Sequence, residues 1–153
     1  MISVFAMCLI SLQLFACTKN TENDSMGKSN DILNTDSMKL KITIGSNIFI
    51  ATLNNNATAK AFKAVLPMTI NMTELNGNEK YFDLSNNLPA NAANPGTIQA
   101  GDLMLYGSNT LVLFYKPFST SYSYTKIGHM DNTSGLVSAL GSEGISITYE
   151  IIN

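Results

Sequence analysis

The hydrophobic and polar positions of this chain fall into two rhythms. In "KLKITI", Leu40, Ile42 and Ile44 alternate with Lys39, Lys41 and Thr43, the period of two that marks a half-buried strand. Gly45-Ser46 is a two-residue break of the kind that suits a primed hairpin turn, so Asn47 to Leu53 is expected to return antiparallel. The period then changes. In "NNNATAKAFKAVLP" an Asn cap near Asn56, an apolar stripe of Ala61, Phe62, Val65 and Leu66, and Pro67 beyond the end predict a short helix.

"MTINMTEL", the turn "NGN" and "EKYFDL" predict a second hairpin, since Asn-Gly is the strongest short hairpin signal. "SNNLPANAANPGTIQAGD" reads as a long loop, of the length that is usually functional or variable. Two apolar runs follow, Leu103 to Tyr106 and Leu111 to Tyr115, then the loop "KPFSTS" and the strand "YSYTKIGHM". "TSGLVSALG" suggests a helical turn or two. The last strand, "ISITYEII", places Ile145, Ile147, Tyr149 and Ile151 on one face. About eight short strands and two small helices, with no βαβ rhythm, predict a mainly β, closed antiparallel barrel. Both faces of Leu111 to Tyr115 are apolar. One is expected inside the barrel and the other beneath a helix or loop.

Residues 1–16, "MISVFAMCLISLQLFA", form an uncharged apolar run with the character of a signal peptide. Its end, "LFAC", resembles a bacterial lipobox, which makes Cys17 the expected lipidation site. Phe15 is bulkier than usual there, and no basic residue precedes the run. Several acyl tails on Cys17 would hold the protein at a membrane. Residues 17–37 are polar, too poor in apolar groups to offset the entropy of ordering, and read as a tether. The folded domain is expected over 38–153, in the bacterial cell envelope. The acidic and Asn-rich start after Cys17 would suit the outer membrane, on its periplasmic or surface face.

Composition narrows the chemistry. The formal charge of −2, with only 13% charged residues, offers no field to recruit nucleic acid. Every basic residue other than the single histidine is a lysine; the chain has no arginine and no tryptophan. Cys8 and Cys17 are the only cysteines, so the domain has no disulfide or thiolate chemistry. His129 and Asp131 could share a strand face, but no nucleophile elbow accompanies them, and the histidine reads more simply as a surface residue at a strand end. The carboxylates Glu74, Glu79, Asp83, Asp102, Asp131, Glu143 and Glu150 are dispersed without metal-site spacing, and no phosphate-binding loop is present. Asp102 is expected to cap a turn. No cofactor or metal is expected.

What remains is aromatic. Tyr106, Phe114, Tyr115, Phe118, Tyr122 and Tyr124 crowd together among serines and threonines. Amphipathic rings of this kind suit a groove that is apolar on one side and wet on the other. The expected ligand-binding groove comprises Tyr106, Tyr115, Phe118, Tyr122, Tyr124 and His129, beside the 84–100 loop, for a peptide, protein or glycan.

The stretch from "GTIQAGDLMLYGSNTLVLFYKPF" to "YTKIGHMDNTSGLVSALGSEGISITYE" resembles the bacterial cyclophilin-like family of small β-barrels. The shared features are a Gly-Asp opening an apolar strand, a Gly/Asn turn, a second strand ending in aromatics, and an alternating final strand. With the upstream hairpin, helix and "YFDLSNNLP", the resemblance covers roughly 38–153. It implies the barrel. It also implies, in true cyclophilins, prolyl isomerisation through an arginine and a groove tryptophan, neither of which this chain has. Lysine cannot present the same planar fork of donors. The expectation is a non-catalytic binding or accessory module, with an atypical prolyl isomerase acting on envelope proteins as the alternative.

Overall fold

Strand β1 (Lys39–Ile44) and strand β2 (Asn47–Leu53) form the first hairpin of a computed structural model that describes residues 38–152. Ile44 pairs with Asn47, leaving Gly45 and Ser46 as the two-residue turn, with Gly45 at φ 58°. The expected signal peptide, Cys17 and the tether at 1–37 lie outside the described residues. Helix α1 (Ala57–Ala64) starts where Asn56 accepts a hydrogen bond from the Ala59 N–H at 2.8 Å. Its buried face is Thr58, Ala59 and Phe62, while Val65 is exposed at the C-cap. Of the expected stripe, Phe62 is fully buried and Ala61 and Leu66 pack against the core, whereas Val65, at the C-cap, faces solvent.

The second hairpin joins β3 (Met68–Leu75) to β4 (Glu79–Asp83) through Asn76, Gly77 and Asn78, with both Asn76 and Gly77 at positive φ. The remaining barrel strands are β6 (Asp102–Tyr106), β7 (Thr110–Phe114), β9 (Thr125–Met130) and β10 (Ile145–Ile152). They close in the order β1-β10-β3-β4-β7-β6-β9-β2, with β2 returning to β1 and every pair antiparallel. The protein is thus a mainly β, closed eight-stranded antiparallel barrel with two short helices, the second being α2 (Leu136–Leu140). The two long loops are less irregular than their sequences suggest. Each contributes a two-residue strand, β5 (Thr97–Ile98) and β8 (Phe118–Ser119), and these pair as a separate ribbon.

Alternation decides what fills the barrel. Leu40, Ile42, Ile44, Leu103, Leu105, Leu111, Leu113, Ile147 and Tyr149 are all fully buried in one cluster, joined by Phe62 from α1 and by Leu136 and Leu140 from α2. Phe62 and Tyr149 meet edge to face, their centroids 6.0 Å apart at 79°, a favoured aromatic geometry. The Tyr149 hydroxyl reaches Met72 Sδ at 3.1 Å, and burial pushes its phenol pKa well above the ordinary value.

A paired charge sits among the inward-facing residues. Lys80 is fully buried and donates to the carbonyls of Gly141 (3.0 Å) and Glu143 (2.6 Å), while Glu74 supplies the counter-ion. An ammonium has three protons to place, and these three acceptors take them. The Tyr115 hydroxyl completes the cluster by donating to Glu74 at 2.9 Å. Burial raises the Glu74 pKa, but the hydrogen bonds from Lys80 and Tyr115 outweigh it and hold the carboxyl below its usual range. Burial, followed by the bond to Glu74, pushes the Tyr115 phenol up to about 12.

Candidate functional site

The middle hairpin, β6 and β7, is apolar on both faces, as its sequence suggests. Leu103, Leu105, Leu111 and Leu113 face the barrel interior. Met104, Val112 and Phe114 point outward, where they form a second small core with Ile98 from β5 and with Tyr124, flanked by Tyr81 and Phe118. The β5–β8 ribbon therefore covers the outer face of β4, β7 and β6 instead of trailing into solvent. Gly101, at φ 89°, immediately precedes β6, where any side chain would collide with Met130 and Thr133.

Backbone clips hold the covering segment in place. Ala93 and Tyr124 exchange two hydrogen bonds of 3.0 Å, and the Thr120 N–H donates to the Gly96 carbonyl at 2.9 Å. These bonds tie the 84–100 loop to the "STSYSY" segment and present Tyr122 and Tyr124 over the sheet. Beside the ribbon opens a cleft of about 440 Å³, lined by Leu75, Asn76, Glu79, Tyr81, Asp83, Tyr106, Thr110, Val112, Phe118, Tyr122 and Tyr124. That size lies within the range of small-ligand sites. Tyr106 and Tyr122 are large, exposed rings at the cleft edge (46% and 61%). They stand nearly perpendicular, 6.2 Å apart at 88°, and Tyr106 also meets Tyr124 at 5.6 Å.

Four of the six residues expected in the groove, Tyr106, Phe118, Tyr122 and Tyr124, meet in this cleft. The other two do not. Tyr115 follows the inward parity of Leu111 and Leu113 and ends on Glu74 inside the barrel. His129 pairs with Asp102, the first residue of β6, whereas Tyr106 is the last. At about 3.4 Å per residue the two positions are more than 10 Å apart along the strand. His129 Nδ1 lies 2.9 Å from Asp102 Oδ1, not against Asp131. Asp102 does cap its turn, its other oxygen accepting from the Gln99 N–H at 2.8 Å. Asp131 instead accepts from Thr52 (2.6 Å) and Lys39 (2.9 Å), which lower its pKa in that order.

The cleft also contains residues that the aromatic pattern overlooked, chiefly Glu79, Tyr81 and Asp83. In "EKYFD" the alternation of β4 puts these three on one face and Lys80 and Phe82 on the other, so the signal was present in the strand itself. Asp83 accepts from the Thr110 hydroxyl at 2.6 Å. Glu79 is only 8% exposed. Burial raises its pKa, the nearby charge of Glu74 adds to the effect, and no hydrogen bond opposes them. For Tyr124, burial and then the charge of Glu79 likewise raise the phenol pKa.

Among known proteins, the model of the Cyclophilin-like family matches residues 42–151. The solution structure of the hypothetical protein AF2241 from Archaeoglobus fulgidus is similar at 18% identity, over 74% of this chain and 94% of that one, with a TM-score of 0.48. No curated protein matches the chain. The family match runs from within β1 to within β10 and takes in nearly all of the barrel together with the outer cleft, so this chain belongs to the Cyclophilin-like family.

Proposed function

We propose that this chain is a lipid-anchored module of the cell envelope whose outer aromatic groove binds an extended peptide or glycan without isomerising it. The observation that carries the reading is the exposure of Tyr106 and Tyr122 over a cleft whose floor is the already buried Val112. Rings left in water beside an apolar floor gain free energy when a ligand covers them. A prolyl isomerase of the cyclophilin kind would need a guanidinium at the groove, and the chain has no arginine. The cleft lining carries two carboxylates and no lysine, the opposite polarity to that catalytic group. Anchoring rests on the "LFAC" sequence ending at Cys17.

Binding is tested by titrating short peptides and oligosaccharides and following the tyrosine ring resonances. Saturable shifts at Tyr106 and Tyr122 are expected, with affinity lost in Tyr122→Ala and Tyr106→Ala. If both variants bind as well as the parent, the groove is not the site. A protease-coupled assay on a proline tetrapeptide should return the uncatalysed rate, and any acceleration would favour the isomerase. Acyl labelling that disappears in Cys17→Ser, together with processing blocked by globomycin, checks the anchor.

A further inference from the structure

The groove is chemically one-sided. Its polar lining includes two carboxylates, Glu79 and Asp83, and no cationic side chain. Asp83 has a partner in Thr110 at 2.6 Å. Glu79 has none: more than nine-tenths buried at the edge of the cleft, its carboxylate forms no hydrogen bond or ion pair with any described residue. The charged and titratable groups around it are Glu74, Tyr115 and Tyr124. Lys80 follows Glu79 in the chain but points to the other face, where Glu74 and two carbonyls occupy it. Its oxygens open onto the cleft, the enclosed side-chain atom without a partner among the described residues being Asn78 Oδ1, and a carboxylate with no protein donor that opens into a cleft can be completed by a ligand.

Tyr124, whose phenol feels the charge of Glu79, leads from it to Tyr106, which lies opposite Thr110, four residues along β7 from the Glu79 partner Phe114. Tyr106 and Tyr122 meet at 88° and Tyr106 and Tyr124 at 51°, so their faces form a corner instead of a flat stack. Electron-rich faces along a cleft with a carboxylate at each end, Asp83 beside Tyr106 and Glu79 beyond Tyr124, favour a cation over a neutral or anionic group. The chain's own lysine geometry elsewhere illustrates the contact, with Lys116 Nζ 5.5 Å from the Tyr115 centroid.

Resting on the reading that the groove is a binding site, we propose that it selects a lysine side chain of an extended peptide, with the ammonium paired to Glu79, the stem laid against Tyr124 and the peptide backbone running on toward Tyr106 and Tyr122. Lysine suits the site because its charge is compact and its four-carbon stem is apolar. A neutral glycan would leave the carboxylate with weaker partners, and an anionic one would be repelled.

The test uses three probes on the folded protein: the blocked pentapeptide Ala-Ala-Lys-Ala-Ala, the same peptide with norleucine for lysine, and a trisaccharide of N-acetylglucosamine. The lysine peptide should bind about tenfold or more tightly than the norleucine peptide, with its ε-methylene protons shifted upfield by the rings. Glu79→Gln should erase that ratio while leaving the norleucine peptide unaffected. His129→Gln, outside the groove, should keep the ratio. Equal affinity for the two peptides, or a preference that survives Glu79→Gln, overturns the proposal. If the norleucine peptide or the trisaccharide binds best and Tyr122→Ala abolishes it, the groove reading stands and lysine selection falls. If none of the three binds, both fall.

Discussion

Glu79 and Lys80 are adjacent in the chain and both are buried, yet the fold treats them in opposite ways. Lys80 points into the barrel and finds one counter-ion and two carbonyls. Glu79 points outward into the aromatic cleft and finds no partner. The difference shows how to separate a structural charge from a functional one. Burial alone marks neither. A buried ion whose hydrogen bonds are all made serves the fold, because removing it leaves its partners stranded. A largely buried side chain whose carboxylate has no protein partner and opens only onto a cleft is one that the fold does not explain, and such groups concentrate where ligands bind.

The strongest way to break the comparison is at the inner charge. Lys80→Met should strand Glu74 and two carbonyls and destabilise the domain by about 3–5 kcal/mol, read from urea unfolding. The double variant Lys80→Met with Glu74→Leu should recover much of that loss. If Lys80→Met alone is neutral, the inner cluster is not the structural element described. Tyr115→Phe removes one charge-assisted hydrogen bond to Glu74 and should cost about 1.5 kcal/mol, with no effect on peptide binding.

Glu79→Gln should move stability the other way, by a smaller amount. The folded-state pKa of Glu79 is raised, chiefly by burial, so the native state holds its proton more tightly than the unfolded chain. Wild-type stability is then lost as pH rises from the unfolded pKa through the folded one. The glutamine variant should be more stable than the parent at neutral pH, with the gap closing in acid. For Glu74 the sign reverses. Its folded pKa is lowered, so its contribution is full above the unfolded pKa and fades as pH falls through the folded one. Thermal unfolding of Glu79→Gln and Glu74→Gln across acid to neutral pH should therefore give curves of opposite slope relative to wild type. Smallest of all, Tyr122→Ala should change stability by no more than about 0.5 kcal/mol, as expected of an exposed side chain, while binding is lost.

Much of the barrel could be read from local patterns. The hairpin at Gly45-Ser46, the Asn56 cap, the Asn-Gly turn and the alternation of β10 each depend on residues a few positions apart. The doubly apolar β6 and β7 correctly implied a cover on the outer face. The site was legible only in part. Tyr106, Phe118, Tyr122 and Tyr124 stood out as a ring cluster and do line one cleft, whereas Tyr115 was grouped with them by proximity in sequence and turned inward by parity. The alternation of β4 puts Glu79, Tyr81 and Asp83 on one face, but only the pairing of β4 with β7 brings that face to the aromatic cleft.

The sequence by itself determined the eight main strands and two helices, the alternation of β1 and β10, and the absence of an arginine from the chain. These are properties of one residue or of its near neighbours along the chain. Only the tertiary structure decided that the two long loops pair as β5 and β8, that they roof β4, β7 and β6, and that Lys80 has partners while Glu79 has none. Whether a buried charge is paired depends on groups brought together from distant strands and turns, and the carbonyls of Gly141 and Glu143 that receive Lys80 carry no side-chain signature for a sequence to display.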